Sequence, residues 1–145
     1  MARPAKEAVI LFAHGARDPQ WAEPFQRLQE RIRLQRPHIE VEIAFLELLP
    51  PTLLAAVDQL CDAGVTHVTI VPLFLASGAH VQRDLPELVT QAQKMYPRLT
   101  IRLLPTLGES EPVLDATAAW IASRLRKKPR QAAGEVGPAI SSEGT

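Results

Sequence analysis

The sequence has little cysteine, few aromatic residues and no surplus of either charge. Cys61 is the single cysteine among 145 residues, which excludes an internal disulfide framework and a zinc site built from cysteines. The 16 basic residues balance the 16 acidic ones, so the chain lacks the positive surplus of a general nucleic-acid-binding protein. Low cysteine is typical of a reducing compartment, and we expect a cytoplasmic protein that does not bind nucleic acid.

Long apolar segments and glycine-rich motifs are also missing. The first apolar run covers residues 8–13, which is too short for a membrane span or the core of a signal peptide. The Gly-x-Gly-x-x-Gly and P-loop patterns are absent, which removes the common phosphate-binding motifs. We therefore expect no membrane association. Hydrophobic residues make up 46% of the chain, which is ordinary for a globular domain.

Four short apolar segments predict β-strands. Residues 8–13 and 67–74 are almost continuously apolar, which indicates central strands buried on both faces. Residues 40–45 and 99–104 alternate between polar and apolar, which indicates edge strands. Helical patterns separate and follow the strands. The order βαβαβαβα predicts an α/β fold, a three-layer sandwich with a four-stranded parallel sheet in the order 2-1-3-4.

The predicted helices carry apolar residues at spacings of three and four. Pro24 marks either a kink in the first helix or a later start, Pro86 lies near the start of the third, and Ser110 caps the fourth. The apolar stripe of the fourth helix comprises Leu114, Ala118, Ile121 and Leu125. Helical periodicity stops near residue 127. We expect one domain over residues 1–126 and a disordered tail over residues 127–145.

The topology itself predicts where a ligand would bind. In an open parallel sheet, ligands bind beyond the carboxyl ends of the strands, where the strand order reverses. His14 follows strand one, Glu47 follows strand two, and His80 follows strand three. Because neighbouring strands lie about 4.8 Å apart, the two histidines can face each other with Glu47 nearby. Two imidazoles and a carboxylate suit a divalent transition metal, and histidine can also accept a proton.

Other residues at the same edge are candidates for binding a ligand. Gly15 and Gly78 permit close approach of the backbone to a ligand. Ser77 and the amides that lead into the third helix can receive an anionic group. Arg17 and Arg83 lie at the same opening and can pair with carboxylates, although arginines at a helix start are usually only solvated.

A histidine in a turn is more often structural than functional. The site hypothesis rests on both His14 and His80 falling at one strand-order reversal, not on either alone. For His38 and His67, the favoured interpretation is a structural or solvent-exposed residue. Cys61 is predicted to be a small buried apolar residue.

Three ordered segments resemble the sirohydrochlorin chelatase family. They are residues 9–19 (VILFAHGARDP), residues 44–48 (AFLEL) and residues 71–86 (VPLFLASGAHVQRDLP). The resemblance spans roughly residues 8–125 and is greatest to the short, single-domain cobaltochelatase type. Ala16 departs from the family, which most often has serine there.

The resemblance implies a lyase that inserts Co²⁺ or Fe²⁺ into sirohydrochlorin, a carboxylate-rich tetrapyrrole, in cobalamin or sirohaem biosynthesis. By position, His14 and His80 correspond to the paired active-site histidines and metal contacts, and Glu47 to their acidic partner. The implied substrate-contacting loop comprises Leu75, Ala76, Ser77, Gly78, Ala79 and His80. The metal is a substrate, so no permanently bound cofactor is expected. Short members resemble half of two-domain relatives, which implies a homodimer.

Two other classes of protein remain as alternatives. A phosphatase with a histidine nucleophile usually has Arg-His-Gly, but Ala13 precedes His14 here, and a second cluster of phosphate-binding arginines is lacking. A non-enzymatic module of flavodoxin-like fold is the other class. A receiver domain is disfavoured because it needs acidic residues after strand one. A carrier that binds metal or tetrapyrrole without turnover stays open.

Overall fold

The computed structural model describes residues 4–76 and 78–127, and these contain four strands and four helices. The strands are β1 (Glu7–Ala13), β2 (Glu40–Phe45), β3 (His67–Pro72) and β4 (Thr100–Leu103). The helices are α1 (Glu23–Gln35), α2 (Leu53–Asp62), α3 (Ala79–Met95) and α4 (Glu111–Arg124). Short 3-10 turns precede α1 and α4, at Pro19–Ala22 and Leu107–Glu109. The predicted tail, apart from Lys127, lies outside the described residues.

The four strands form one parallel sheet in the order β2-β1-β3-β4, as predicted. Leu11 of β1 pairs with Ile43 of β2 on one side and with Val71 of β3 on the other. The continuously apolar strands are therefore central and the alternating strands are at the edges. Within the described ranges, no helix is long and apolar enough to cross a membrane.

The sheet face under α2 and α3 holds the main core. Side chains of the sheet meet those of both helices, and the buried members include Ala8, Ile10, Phe12, Val68, Ile70, Leu53, Val57, Leu60, Leu85 and Ala92. A fully buried aliphatic or phenyl side chain contributes about 1.5–3 kcal/mol relative to exposure. The described part of the chain buries no polar or charged residue. This face therefore supplies most of the apolar burial.

Helix α1 covers the opposite face, over β2. Ala13, Ala22 and Phe45 form a small buried cluster there. The side-chain amide of Gln29 and the guanidinium of Arg33 donate hydrogen bonds of 2.6 and 3.2 Å to the backbone carbonyl of Val41. These bonds attach an otherwise exposed helix to the edge strand.

Helix α4 is present where the sequence predicts it, but it buries no residue. Its apolar stripe, Leu114, Ala118, Ile121 and Leu125, is exposed to solvent. A hollow of about 390 Å³ remains beside its first turn, lined by Val71, Leu104 and Val113 among others. The α1 face of the sheet is therefore only partly covered over β3.

The observed helix starts can be compared with those that Pro24, Pro86 and Ser110 predict. Helix α1 begins at Glu23 with Pro24 in its first turn, so Pro24 marks a later start and not a kink. Helix α3 begins at Ala79, which places Pro86 inside the helix, and the predicted position near its start is wrong. The first turns of α3 are mostly exposed and polar, so the apolar stripe does not reveal them. Ser110 is the N-cap residue of α4, but its side chain makes no capping hydrogen bond.

Candidate functional site

Backbone hydrogen bonds join the loops beyond the carboxyl ends of the strands. The amide of Leu73 donates to the carbonyl of Phe12 over 2.8 Å, on the β3 side of β1. The amide of Glu47 donates to the carbonyl of His14 over 3.1 Å, on the β2 side. The parallel ladder therefore continues past the strands and holds His14 where the strand order reverses.

His14 and Glu47 form an ion-pair geometry at this position. Nε2 of His14 lies 3.2 Å from Oε1 of Glu47, and the two side chains are 53% and 55% exposed. A protonated imidazole would donate to the carboxylate, while a neutral one can do so only with hydrogen on Nε2. An exposed pair of this kind contributes about 0–1 kcal/mol to folding. Its stability contribution is small, and its atoms are accessible to a ligand.

The backbone, not side-chain packing, holds Glu47 in place. Gly15 has a φ of +98°, and a Cβ built there would lie 1.8 Å from the carbonyl oxygen of Glu47. On the other side, the amide of Leu49 donates to that same carbonyl over 2.9 Å, across Leu48 with a φ of +70°. This is the pattern of a strained γ-turn. The space at Gly15 is therefore used by Glu47 and not by a ligand.

Phe74 is a neighbour of His14 that the sequence analysis did not single out. Its ring is 8% exposed and lies 5.9 Å from the ring of Phe12 at 90°. It also lies 6.3 Å from the imidazole of His14 at 83°. Edge-to-face pairs at this spacing are favourable. The sequence marks Phe74 only as the last apolar residue of the central strand predicted over residues 67–74.

His80 lies in the first turn of α3 and is exposed. No hydrogen bond or ion pair of the described residues joins it to His14 or Glu47. Among residues 4–76 and 78–127, no three His, Cys, Asp or Glu side chains cluster closely enough to hold a metal ion. The structure thus brings His14 and Glu47 together and leaves His80 separate.

The predicted substrate-binding residues lie at the same end of the sheet. The six that the structure describes are all exposed: Leu75, Ala76, Gly78, Ala79, Arg17 and Arg83. Ser77 lies outside the described residues. A hollow of about 290 Å³ lies between α3 and the loop after β4, lined by Val81, Leu85 and Thr106 among others, but none of the predicted substrate-binding residues described lines it. The exposed loop residues therefore leave an accessible surface at the same end of the sheet as the histidine–carboxylate pair.

The remaining candidate residues lie elsewhere. His67 begins β3, at the amino end of the strands, and its Nδ1 lies 2.8 Å from the hydroxyl of Thr66. His38 is exposed. Cys61 is half-buried, and burial, with the nearby Asp58 and Asp62, raises the pKa of its thiol above 9.0. None of these three is part of the site at the carboxyl ends.

The chemistry of the pair is that of an open metal-binding and proton-accepting site. Imidazole nitrogen and carboxylate oxygen are ligands for Co²⁺, Fe²⁺, Ni²⁺ and Zn²⁺. Two such ligands leave most coordination positions of a metal ion free, which suits transfer of the ion more than permanent storage. Fold and site together define an open parallel α/β protein with a histidine–carboxylate pair at the strand-order switch point.

The chain belongs to the CbiX family, whose model matches residues 8–124. Among curated relatives, a sirohydrochlorin cobaltochelatase of Methanopyrus kandleri is 35% identical over 82 residues, 57% of this chain and 57% of the relative. A sirohydrochlorin ferrochelatase of Bacillus subtilis is 32% identical over 114 residues, 77% of this chain and 42% of the relative. The chain thus spans about half the length of these relatives.

Solved structures show the same fold. A CbiX protein from Marinobacter aquaeolei VT8 has a TM-score of 0.71 and 32% identity, covering 81% of this chain and 95% of that one. The sirohydrochlorin chelatase SirB from Bacillus subtilis, in complex with cobalt, has a TM-score of 0.69 and 28% identity. That match covers 82% of this chain and 51% of SirB.

Proposed function

We propose that this protein inserts a divalent metal ion, Co²⁺ or Fe²⁺, into sirohydrochlorin. The observation that carries the proposal is the exposed His14–Glu47 pair, 3.2 Å apart where the strand order reverses. Support comes from relatives of the CbiX family that are named as sirohydrochlorin cobaltochelatase and ferrochelatase. The structure of SirB in complex with cobalt supports a metal ion as the second substrate.

The reaction exchanges two pyrrole protons for one divalent metal ion. It therefore requires a proton acceptor close to a place where a partly dehydrated ion can wait. We assign both roles to His14, because its imidazole is accessible and a neutral ring nitrogen can bind a metal ion or accept a proton. Glu47 stabilises the imidazolium that forms when His14 accepts one of the two protons, since its carboxylate already lies beside Nε2, and the other proton passes to solvent.

His80 supplies the second metal contact in this proposal. Its position in the first turn of α3, apart from His14 and Glu47, suits a ligand that engages the ion when the macrocycle is present. Arg17, Arg83 and the first amides of α3 bind the carboxylates of the substrate, because cations and helix N-termini attract anions. The exposed loop that begins at Leu75 contacts the macrocycle.

The test is an anaerobic absorbance time course with sirohydrochlorin and either Co²⁺ or Fe²⁺. Wild-type protein is expected to convert the spectrum faster than a protein-free control. His14→Ala is expected to reduce kcat by about 10²-fold or more, the usual loss when a general base is removed. Glu47→Gln is expected to cost roughly 10-fold, because it alters the partner of a ligand and not the ligand.

His38→Ala is the matched control, since it removes another exposed histidine, one that precedes β2 and so lies at the opposite end of the sheet. It is expected to retain the wild-type rate. A spectral shift on binding without turnover would contradict the proposed enzymatic activity and favour a carrier of metal or tetrapyrrole. Wild-type and His14→Ala rates that agree would contradict the assignment of His14.

We further propose a homodimer in which the second copy covers α4. Support comes from the exposed apolar residues of α4, among them Trp120 at 62% and Leu125 at 67% exposure. The hollow beside Val71 and Val113 continues this apolar surface onto the sheet. Large exposed apolar surfaces mark interaction sites.

The other proposed properties follow from the sequence. We propose that residues 1–126 act as one chelatase-like domain, that the metal is a substrate, and that no permanently bound cofactor is required. We also propose that the protein works in the cytoplasm. The low cysteine content supports a reducing compartment.

A further inference from the structure

A glycine outside the candidate site fixes the loop that follows β3. Gly108 lies in the 3-10 turn after β4, and its amide donates to the carbonyl of Phe74 over 3.2 Å. A Cβ built on Gly108 would lie 1.5 Å from the carbonyl oxygen of Leu75 and 2.7 Å from its carbonyl carbon. Since both are backbone atoms, rotating a side chain cannot relieve the overlap. The two loops touch only because residue 108 has no side chain.

This contact reaches His14 through Phe74. The backbone of Phe74 accepts the hydrogen bond from Gly108, and its ring lies nearly perpendicular to the imidazole of His14. The ring is buried and also packs against Phe12, so it cannot easily turn away if its backbone moves. The position of the Gly108 turn therefore determines where the phenyl ring meets His14.

Gly15 and Gly108 have parallel effects on the two sides of His14. Gly15 allows the backbone of Glu47 to approach, which places a carboxylate beside the imidazole. Gly108 allows the backbone of Leu75 to approach, which places the ring of Phe74 against the same imidazole. Each contact is made between backbones, at a point where any larger residue would separate the loops.

We propose that Gly108 is a positioning residue for His14, acting through Phe74. Its catalytic meaning rests on the proposed metal insertion, whereas its effect on the placement of His14 is measurable without turnover. Gly108 does not touch the imidazole, and its position after β4 lies outside all three family-like segments of the sequence.

The experiment compares Gly108→Ala with Gly64→Ala. Gly64 follows α2 with a φ of +85°, and a Cβ built there would meet nothing within 4 Å. Alanine at residue 64 is therefore strained by its backbone but contacts nothing, which makes it a control for lost stability. Both variants are expected to lower the Tm. Only Gly108→Ala is expected to shift the ring-current-sensitive NMR signals of the His14 Hδ2 and Hε1 protons, measured at one pH without metal.

Turnover gives a second readout. Displacing a reacting group by about 1 Å can reduce the rate about 10²-fold, so Gly108→Ala is expected to lower kcat by about 10- to 100-fold, with a smaller change in KM. Gly64→Ala is expected to keep the wild-type kcat. Phe74→Leu, which keeps the backbone contact and removes the ring, is expected to shift the same His14 signals even if Gly108→Ala does not fold.

The proposal is overturned if His14 signals in Gly108→Ala coincide with the wild type, or move equally in Gly64→Ala. Unchanged His14 signals in Phe74→Leu would also overturn it. If the wild type fails to insert metal, the proposed function is wrong, and the NMR comparison still decides whether Gly108 positions His14.

Discussion

The two faces of the sheet are covered to different extents. On the face of α2 and α3, Val68 and Ile70 are at most 2% exposed. On the other face, α1 covers β2, but Val71 is only half-buried and Arg102 is exposed. Strand β3 therefore faces a fully packed core on one side and a partly open apolar surface on the other.

This difference separates two uses of apolar residues. The α2 and α3 face stabilises the single chain, because its side chains are buried whether or not another molecule is present. Helix α4 leaves Leu114, Trp120, Ile121 and Leu125 in water, where they contribute little to folding of a single chain. Apolar residues left in this way are available to a partner.

The largest expected effect on stability comes from comparing two valines of β3. Val68→Ala removes two methyl groups from the fully packed core and is expected to lower the free energy of unfolding by about 2–3 kcal/mol. Val71→Ala, three residues along the same strand but on the open face, is expected to cost less than about 1 kcal/mol. Chemical denaturation at low protein concentration measures both. Equal losses would show that the open face is as fully packed as the core.

A substitution on α4 has a smaller effect on the single chain. Trp120→Ser is expected to change its free energy of unfolding by less than about 0.5 kcal/mol, since the side chain is 62% exposed. It is nevertheless expected to halve the mass measured by light scattering, because the ring belongs to the proposed dimer surface. Leu34→Ser, at an 82% exposed position on α1, is the control that keeps the wild-type mass. A monomeric wild type would contradict the dimer.

The smallest effect concerns the junction of α2 and α3. The hydroxyl of Tyr96 donates to the carboxylate of Asp58, and this bond raises the pKa of Tyr96 to about 12. Because the folded pKa exceeds the ordinary value of 10.0, the stabilisation is present below pH 10 and is lost as the pH rises towards 12. Wild-type Tm is expected to fall more steeply over that range than the Tm of Tyr96→Phe. Parallel curves would show that the bond does not persist in solution.

The sequence predicted the sheet well because burial leaves a direct pattern in the strands. Continuous apolar runs distinguished the central β1 and β3 from the alternating edge strands, and this was sufficient for the order 2-1-3-4. The same topology predicted that Glu47 approaches His14, since both follow adjacent strands. The catalytic and metal-binding roles of His14, His80 and Glu47 remain predictions.

Other features left no pattern in the sequence. The start of α3 was missed because its first turns are mostly exposed, and periodicity reports only residues that face a core. Exposure of α4 was not evident, because an apolar stripe looks the same whether or not a surface covers it. No sequence pattern marks Gly108, since the fit between two loop backbones depends on tertiary packing and not on a local motif.

The origin of the site in separate loops also determines when it can form. His14, Glu47, Phe74 and Gly108 follow four different strands, and the bonds that join their loops depend on the completed sheet. During synthesis, the first three emerge before Gly108 does. Because the bond from Gly108 to Phe74 joins the loops after β4 and β3, the imidazole has its final surroundings only in a chain that includes the loop after β4. A nascent chain that ends before residue 108 therefore carries the histidine without the complete site.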